Sequence, residues 1–253
     1  MSWATAWRIA RRDLNARFKG LRLLLICLFL GTGALAAIGS LTAAIEGEIE
    51  ANGREYLGGD LQAARSGSTR VKAERAALED YGEVSAGTRM QAMARHDDQA
   101  APIELKAVDA AYPLYGTLTL ADGRAVGAPA LGEAWLSQGA ADRLGVAPGG
   151  NIAIGTETVG VGGIIADEPD RLGEGFQLGP TIIVAEELPA RAGLIAPGSM
   201  YQSKTRVRFA QARDAADVEE ALEDRFPEAG FDIDTADRAA PGTDRFVDRM
   251  SEF

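Results

Sequence analysis

The chain has one cysteine, Cys27, and one histidine, His96, in 253 residues. A lone cysteine excludes an internal disulfide framework and any cysteine-based zinc site. A lone histidine excludes every site that needs two. No Gly-Lys pair occurs, so there is no phosphate-binding loop of the G-x-x-x-x-G-K-[ST] type and no ATP hydrolysis by that route. The G-x-S-x-G elbow of serine hydrolases is also missing, and His96 has no paired nucleophile in an identifiable motif. Basic residues are scarce: 26 against 37 acids, for a net charge of -11. That balance argues against nucleic-acid binding through a general basic surface. No catalytic, cofactor-binding or metal-ligating residue is assigned, and the chain is not expected to be an enzyme.

The negative charge is unevenly placed. Residues 1–22 contain Arg8, Arg11, Arg12, Arg17, Lys19 and Arg22 against Asp13, which is +5, leaving -16 for the rest. Leu23 to Ile45 then runs without a charge. As a helix this run is about 34 Å long, enough to cross a hydrocarbon core of roughly 30 Å. Basic residues before it and Glu46, Glu48 and Glu50 after it predict a cytoplasmic N-terminus and an exported remainder. Ala34-Leu35-Ala36 could serve as a signal-peptidase site. The long basic region and the continuation of the run past Ala36 favour a retained membrane helix. Gly31-Thr32-Gly33-Ala34-Leu35-Ala36 matches a dinucleotide fingerprint only superficially, since no strand precedes it. Gly33/Ala37, Ala36/Ser40 and Gly39/Ala43 place small residues four apart, which suits close approach of another helix or ordinary membrane composition.

Trp3, Trp7, Ala10, Leu14, Phe18 and Leu21 recur at helical spacing, which predicts a basic amphipathic helix over 1–22. Beyond the membrane run a helical pattern continues from Ile45 to Leu57 and breaks at Gly58-Gly59, a candidate mechanical hinge between a stalk and a domain. Short strands are expected at Leu61–Ala64, Val84–Arg95, Pro102–Val108, Asn151–Ile154, Thr158–Ala166, Thr181–Ala185, Tyr201–Phe209 and Phe231–Ile233. Helices are expected at Val71–Tyr81, Leu131–Leu144, Glu186–Ala192 and Asp214–Phe226, the last with Asp214 as N-cap. His96 to Gln99 reads as a solvated hairpin turn rather than a metal site. Asp167-Glu168-Pro169-Asp170-Arg171 reads as a charged turn without the calcium-loop pattern.

The expected fold class is α+β: one N-terminal transmembrane helix, then a two-lobed extracytoplasmic domain. The expected divisions are 1–22, the transmembrane helix 23–45, the exported domain 46–240 and a tail 241–253. Within the domain, a βαβ-rich lobe (46–120 and 200–240) carries an inserted β-rich lobe (121–199). Phe246, Val247, Met250 and Phe253 share one helical face, expected to lead into a missing second membrane helix.

Several segments in order resemble the N-terminal part of ABC transporter permeases of the MacB/FtsX superfamily, closest to its long members with duplicated domains. They are Arg11-Arg12-Asp13-Leu14, Tyr56-Leu57-Gly58-Gly59-Asp60-Leu61, Gly163 to Arg171, Leu188-Pro189-Ala190, Gly193-Leu194-Ile195, Pro197-Gly198-Ser199 and Arg245 to Arg249. The resemblance implies a porter-like lobe with an inserted lobe, and a location in a bacterial inner membrane with the main domain periplasmic. It implies a cytoplasmic ATPase partner that binds the ATP, a second permease copy and a periplasmic partner. The implied work is export or extraction of lipids, lipoproteins or other hydrophobic compounds. The alternative is an anchored periplasmic binding or adaptor domain. A third reading, a secreted enzyme, requires cleavage at Ala36 and lacks a catalytic constellation.

Overall fold

A computed structural model describes residues 5, 7, 19–66, 72–171, 173, 179–196, 198–227 and 230–238. The amphipathic helix expected over 1–22 and the tail 241–253 lie almost wholly outside these residues. The chain divides into two compact units, 1–48 and 49–253.

Helix α1 covers Lys19–Leu57. Its segment Leu23–Ala44 is long and apolar enough to cross a membrane, and none of it is buried. Unbranched and small residues favour the helix, and no proline interrupts it. Its last turns belong to the second unit.

That unit is built on one mixed sheet of eleven strands. The elements in order are β1 (Leu61–Ser66), α2 (Lys72–Glu79), β2 (Gly82–His96), β3 (Gln99–Val108), β4 (Leu118–Leu120), β5 (Ala125–Val126) and β6 (Glu133–Ser137). Then come α3 (Gln138–Leu144), β7 (Asn151–Ile154), β8 (Glu157–Asp167), β9 (Thr181–Ala185), α4 (Leu188–Arg191), β10 (Gln202–Phe209), α5 (Ala215–Arg225) and β11 (Asp232–Thr235). The spatial order is β11-β1-β10-β2-β3-β9-β6-β8-β4-β5, with β7 joining β2 to β8.

That bridge closes a ring. β2 pairs with β3, β3 with β9, β9 with β6, β6 with β8, β8 with β7, and β7 returns to the far end of β2. The segment expected as an inserted β-rich lobe supplies β6 to β9 to a six-stranded barrel completed by β2 and β3 of the outer elements. The sheet continues through both parts, because β2 is 15 residues long and serves β10 with one half and β7 with the other. Closure leaves fewer free strand edges.

Two apolar layers lie on one face of the sheet. Leu61, Val84 and Val207 meet Leu78 of α2 and Val218 and Leu222 of α5. Asp214 caps α5 as expected, its Oδ1 accepting from the Ala216 amide at 3.0 Å. The second layer fills the barrel with Ile103, Leu105, Leu136, Ile152, Ile154, Val161, Ile182 and Val184, closed by Leu144 of α3. On the opposite face, Trp135 and Ile183 pack beneath Tyr112, Leu118 and Leu120.

One helix was expected too early. The pattern of Leu131 to Leu136 predicts the start of a helix, but Glu133–Ser137 is a strand and the helix begins at Gln138. Ala134 and Leu136 point into the barrel while Trp135 points to the other buried face. A strand buried on both faces shows a continuous apolar run, which periodicity alone does not separate from a helix. The strands β4 and β5 were not anticipated; at three and two residues they carry no periodic signal.

Candidate functional site

Two of the quoted segments, Tyr56 to Leu61 and Gly163 to Arg171, lie far apart in sequence and meet in the fold. The first ends α1. The Gly59 amide donates to the Arg54 carbonyl at 3.0 Å and the Gly58 amide to the Glu55 carbonyl at 3.1 Å. With Gly58 at φ +73°, this is a Schellman cap. Space as well as backbone demands glycine. A Cβ on Gly58 would stand 3.2 Å from the Asp170 Cβ and 3.3 Å from the Arg206 Cδ. One on Gly59 would stand 3.1 Å from the Leu61 carbonyl oxygen. The hinge candidates are thus a buried, fitted helix cap.

Asp60 follows at once and is 7% exposed. Its Oδ1 meets the Arg54 Nε at 2.8 Å, and its Oδ2 accepts from the Tyr115 hydroxyl and the Phe209 amide, each at 2.8 Å. One carboxylate so ties the end of α1, the β3–β4 connection and β10. Burial, followed by the hydrogen bond to Asp60 and that carboxylate's charge, pushes the Tyr115 hydroxyl up to about 12.

The second segment leaves β8 and crosses the polar face of the sheet. Asp170 is 1% exposed and receives three donors. The Lys106 ammonium donates to Oδ2 at 2.7 Å, the Arg206 guanidinium to the same oxygen at 2.5 Å, and the Tyr112 hydroxyl to Oδ1 at 2.7 Å. Lys106 also donates to Glu168 Oε1 at 2.6 Å and sits 4.9 Å from the Tyr112 ring centre. Arg206 continues through Nε to Gln62 at 3.0 Å, and Gln62 to Asp234 at 3.2 Å. Arg89 pairs with Glu104 beside the cluster. Two cations, Lys106 and Arg206, face two anions, Glu168 and Asp170, so the buried charge is balanced. Desolvation raises the Tyr112 hydroxyl well above its usual range. Lys106 opposes that rise, while the charges of Asp170 and Glu168 and the hydrogen bond to Asp170 add to it.

Asp167 to Arg171 was expected to be a solvated charged turn. Its two inner acids are instead among the most buried charges of the domain, because their partners wait on β3 and β10. Those partners, Lys106 and Arg206, stand in no motif of the sequence. They belong to a period-two polar row, Ser85 and Arg89 on β2, Glu104 and Lys106 on β3, Lys204 and Arg206 on β10, which reads as a solvent face.

His96 lies at the hairpin tip as expected, with Asp97 and Asp98 exposed. Its ring is not simply solvated, since Nδ1 lies 2.6 Å from the Asn151 carbonyl oxygen. Among the described residues no three His, Cys, Asp or Glu side chains converge as a metal-ligand set.

The periplasmic region of MacB from Actinobacillus actinomycetemcomitans superposes with a TM-score of 0.54 at 14% identity, covering 81% of this chain and 99% of that one. The extracellular domain of the ABC-type transporter YknZ from Gram-positive bacteria gives 0.47 at 14% identity, covering 69% and 100%. A domain of a permease protein from Porphyromonas gingivalis gives 0.47 at 13%, covering 75% and 96%. No curated protein matches the chain. Residues 23–225 match the family model of the MacB-like periplasmic core domain, and the chain belongs to that family, within the MacB/FtsX-like permease superfamily.

Proposed function

We propose that this chain is the N-terminal part of a permease subunit of an ABC transporter. In this reading the chain performs no chemistry of its own and holds no cofactor. A cytoplasmic partner binds and hydrolyses ATP, and the resulting movement of the membrane helices moves the extracytoplasmic domain. The cargo class is lipids, lipoproteins or other hydrophobic compounds leaving a bacterial inner membrane. A second permease copy and a periplasmic partner complete the assembly. The N-terminus lies in the cytoplasm, on the side favoured by its +5 charge.

The observation that supports this reading most directly is the ending of α1. The helix that carries the apolar segment finishes in a cap fitted against Asp170 and Arg206. Displacing such an end displaces the sheet, because Asp60 and the buried cluster leave it little slack. Gly58 and Gly59 are the mechanical joint in this mechanism.

Affinity purification of the chain from native membranes tests the proposal. Co-purification of an ATPase in stable proportion supports it. Recovery of extracytoplasmic proteins alone overturns it in favour of an anchored adaptor domain.

A further inference from the structure

Strands β3 and β9 run parallel and end side by side, Val108 against Ala185. The chain then leaves them towards opposite faces of the sheet. After β3 it reaches Tyr112, in the layer with Trp135, and after β9 it reaches Leu188, in the barrel layer. Parallel strands whose continuations part in this way leave a crevice beyond their carboxyl ends, a common place for a small ligand. A cavity of about 600 Å³ lies there, against Val108, Ala185 and the segment 127–131 that precedes β6. Small-molecule sites span roughly 300–1,000 Å³. The segment is held in place, since the Trp135 indole donates to the Gly127 carbonyl and the Glu133 amide to the Ala130 carbonyl, each at 2.9 Å.

The lining selects by polarity and then by charge. Aliphatic side chains dominate it: Val108 and Ala185 are buried, and Leu131 is 50% exposed. Such a wall gains from contact with an apolar body and nothing from a hydrated ion. Among the described residues the wall has no lysine, arginine or histidine, and its charged groups are Asp109 and Glu187. Asp109 is committed. Its Oδ1 accepts from the Ser85 hydroxyl at 2.8 Å, its Oδ2 from the Ala86 amide at 2.8 Å, and Arg75 stands 3.4 Å away. Glu187 is exposed at the start of α4, and its side chain makes no cap bond there. One uncommitted carboxylate at the edge of an apolar wall repels anions and favours a cation.

We propose that this cavity binds a small apolar amine, its body against Pro129 and Leu131 and its ammonium towards Glu187. Burial of apolar surface supplies the affinity, and the charge-assisted hydrogen bond to Glu187 sets the preference for an amine. Such binding needs no ATPase and is read on this chain alone, so its failure leaves the permease reading intact.

The test uses the full chain in micelles of an uncharged detergent and three fluorinated probes with one body: phenylbutylamine, phenylbutanol and phenylbutyrate. Broadening of the fluorine NMR line beyond that caused by micelles alone reports binding. The amine is expected to bind most tightly, the alcohol more weakly and the carboxylate least. Glu187→Gln should weaken the amine by about three- to fivefold and leave the alcohol unchanged. Leu131→Asn should weaken both by about fivefold. Both replaced side chains are exposed, so both variants are expected to fold. Lines no broader than in micelles alone, equal binding of amine and alcohol, or unaltered amine binding in folded Glu187→Gln overturns the proposal. Should Leu131→Asn not fold, the comparison of amine with alcohol in Glu187→Gln decides the matter.

Discussion

Asp170 accepts a hydrogen bond from Arg206 at 2.5 Å, and the two side chains together form the wall against which Gly58 fits. The acid comes from the return after β8, the base from β10, and the glycine from the end of α1. One ion pair therefore joins three parts of the chain that sequence keeps well apart.

Asp170→Ala should be among the most damaging single changes. It removes the buried carboxylate that Lys106 and Arg206 share, at a cost of about 3–5 kcal/mol. Equilibrium urea unfolding measures it as a lower midpoint with an unchanged slope. A double-mutant cycle with Arg206→Met should show strong coupling, since the second change removes part of the uncompensated charge. Additive losses would mean that the pair does not act as a unit.

Gly58→Ala should cost about 1–2 kcal/mol from backbone strain alone, because φ is +73°. Contact with Asp170 and Arg206 adds to that. Thermal unfolding reads the loss as a lower midpoint. Alanine at both Gly58 and Gly59 is also expected to reduce transport in the intact permease. Full stability and full transport in that variant would remove the joint from the mechanism.

Asp60→Ala deprives the half-buried Phe209 amide and Tyr115 hydroxyl of their acceptor, which should cost about 1–3 kcal/mol in all. Tyr115→Phe, which keeps the ring, should cost only about 1 kcal/mol. The two variants compared by denaturant unfolding separate the clamp from simple packing.

Alkaline stability follows from the same hydroxyl. Tyr115 ionises near 12 when folded and near 10 when unfolded, so the folded state holds its proton more tightly. Its contribution is complete below about pH 10 and is lost as pH rises towards 12. Tyr112, shifted in the same direction, acts with the same sign. Unfolding midpoints across that window should fall less steeply for Tyr115→Phe, and phenolate absorbance should lag behind that of the unfolded chain. An identical fall in both proteins would count against the Asp60-bonded hydroxyl.

Trp135→Ala and Leu136→Ala should each cost at least about 2 kcal/mol. Adjacent residues of β6 face two different buried layers, so neither tolerates truncation. A helix at this place would present one of the two to solvent. A near-neutral result at either position would contradict the strand.

Much was legible before any fold was known. The uncharged run from Leu23, its charged flanks, the hairpin at His96 and the Asp214 cap are local matters. Chain length, charge and backbone hydrogen-bonding chemistry settle them with few distant partners. The segments at Gly58 and Asp170 were also visible as motifs, but not as neighbours.

Other features depended on what covers what. A period-two polar row predicts a wet strand face unless another segment lies over it. Here the return through Glu168 and Asp170 covers that row, and Lys106 and Arg206 become buried ions with matched partners. The same logic made β6 a strand, since only closure of the barrel buries both of its sides. Sequence determined which segments are apolar, charged or capped. Tertiary structure decided which charges leave water, because desolvation is a property of the assembled surroundings and not of the residue.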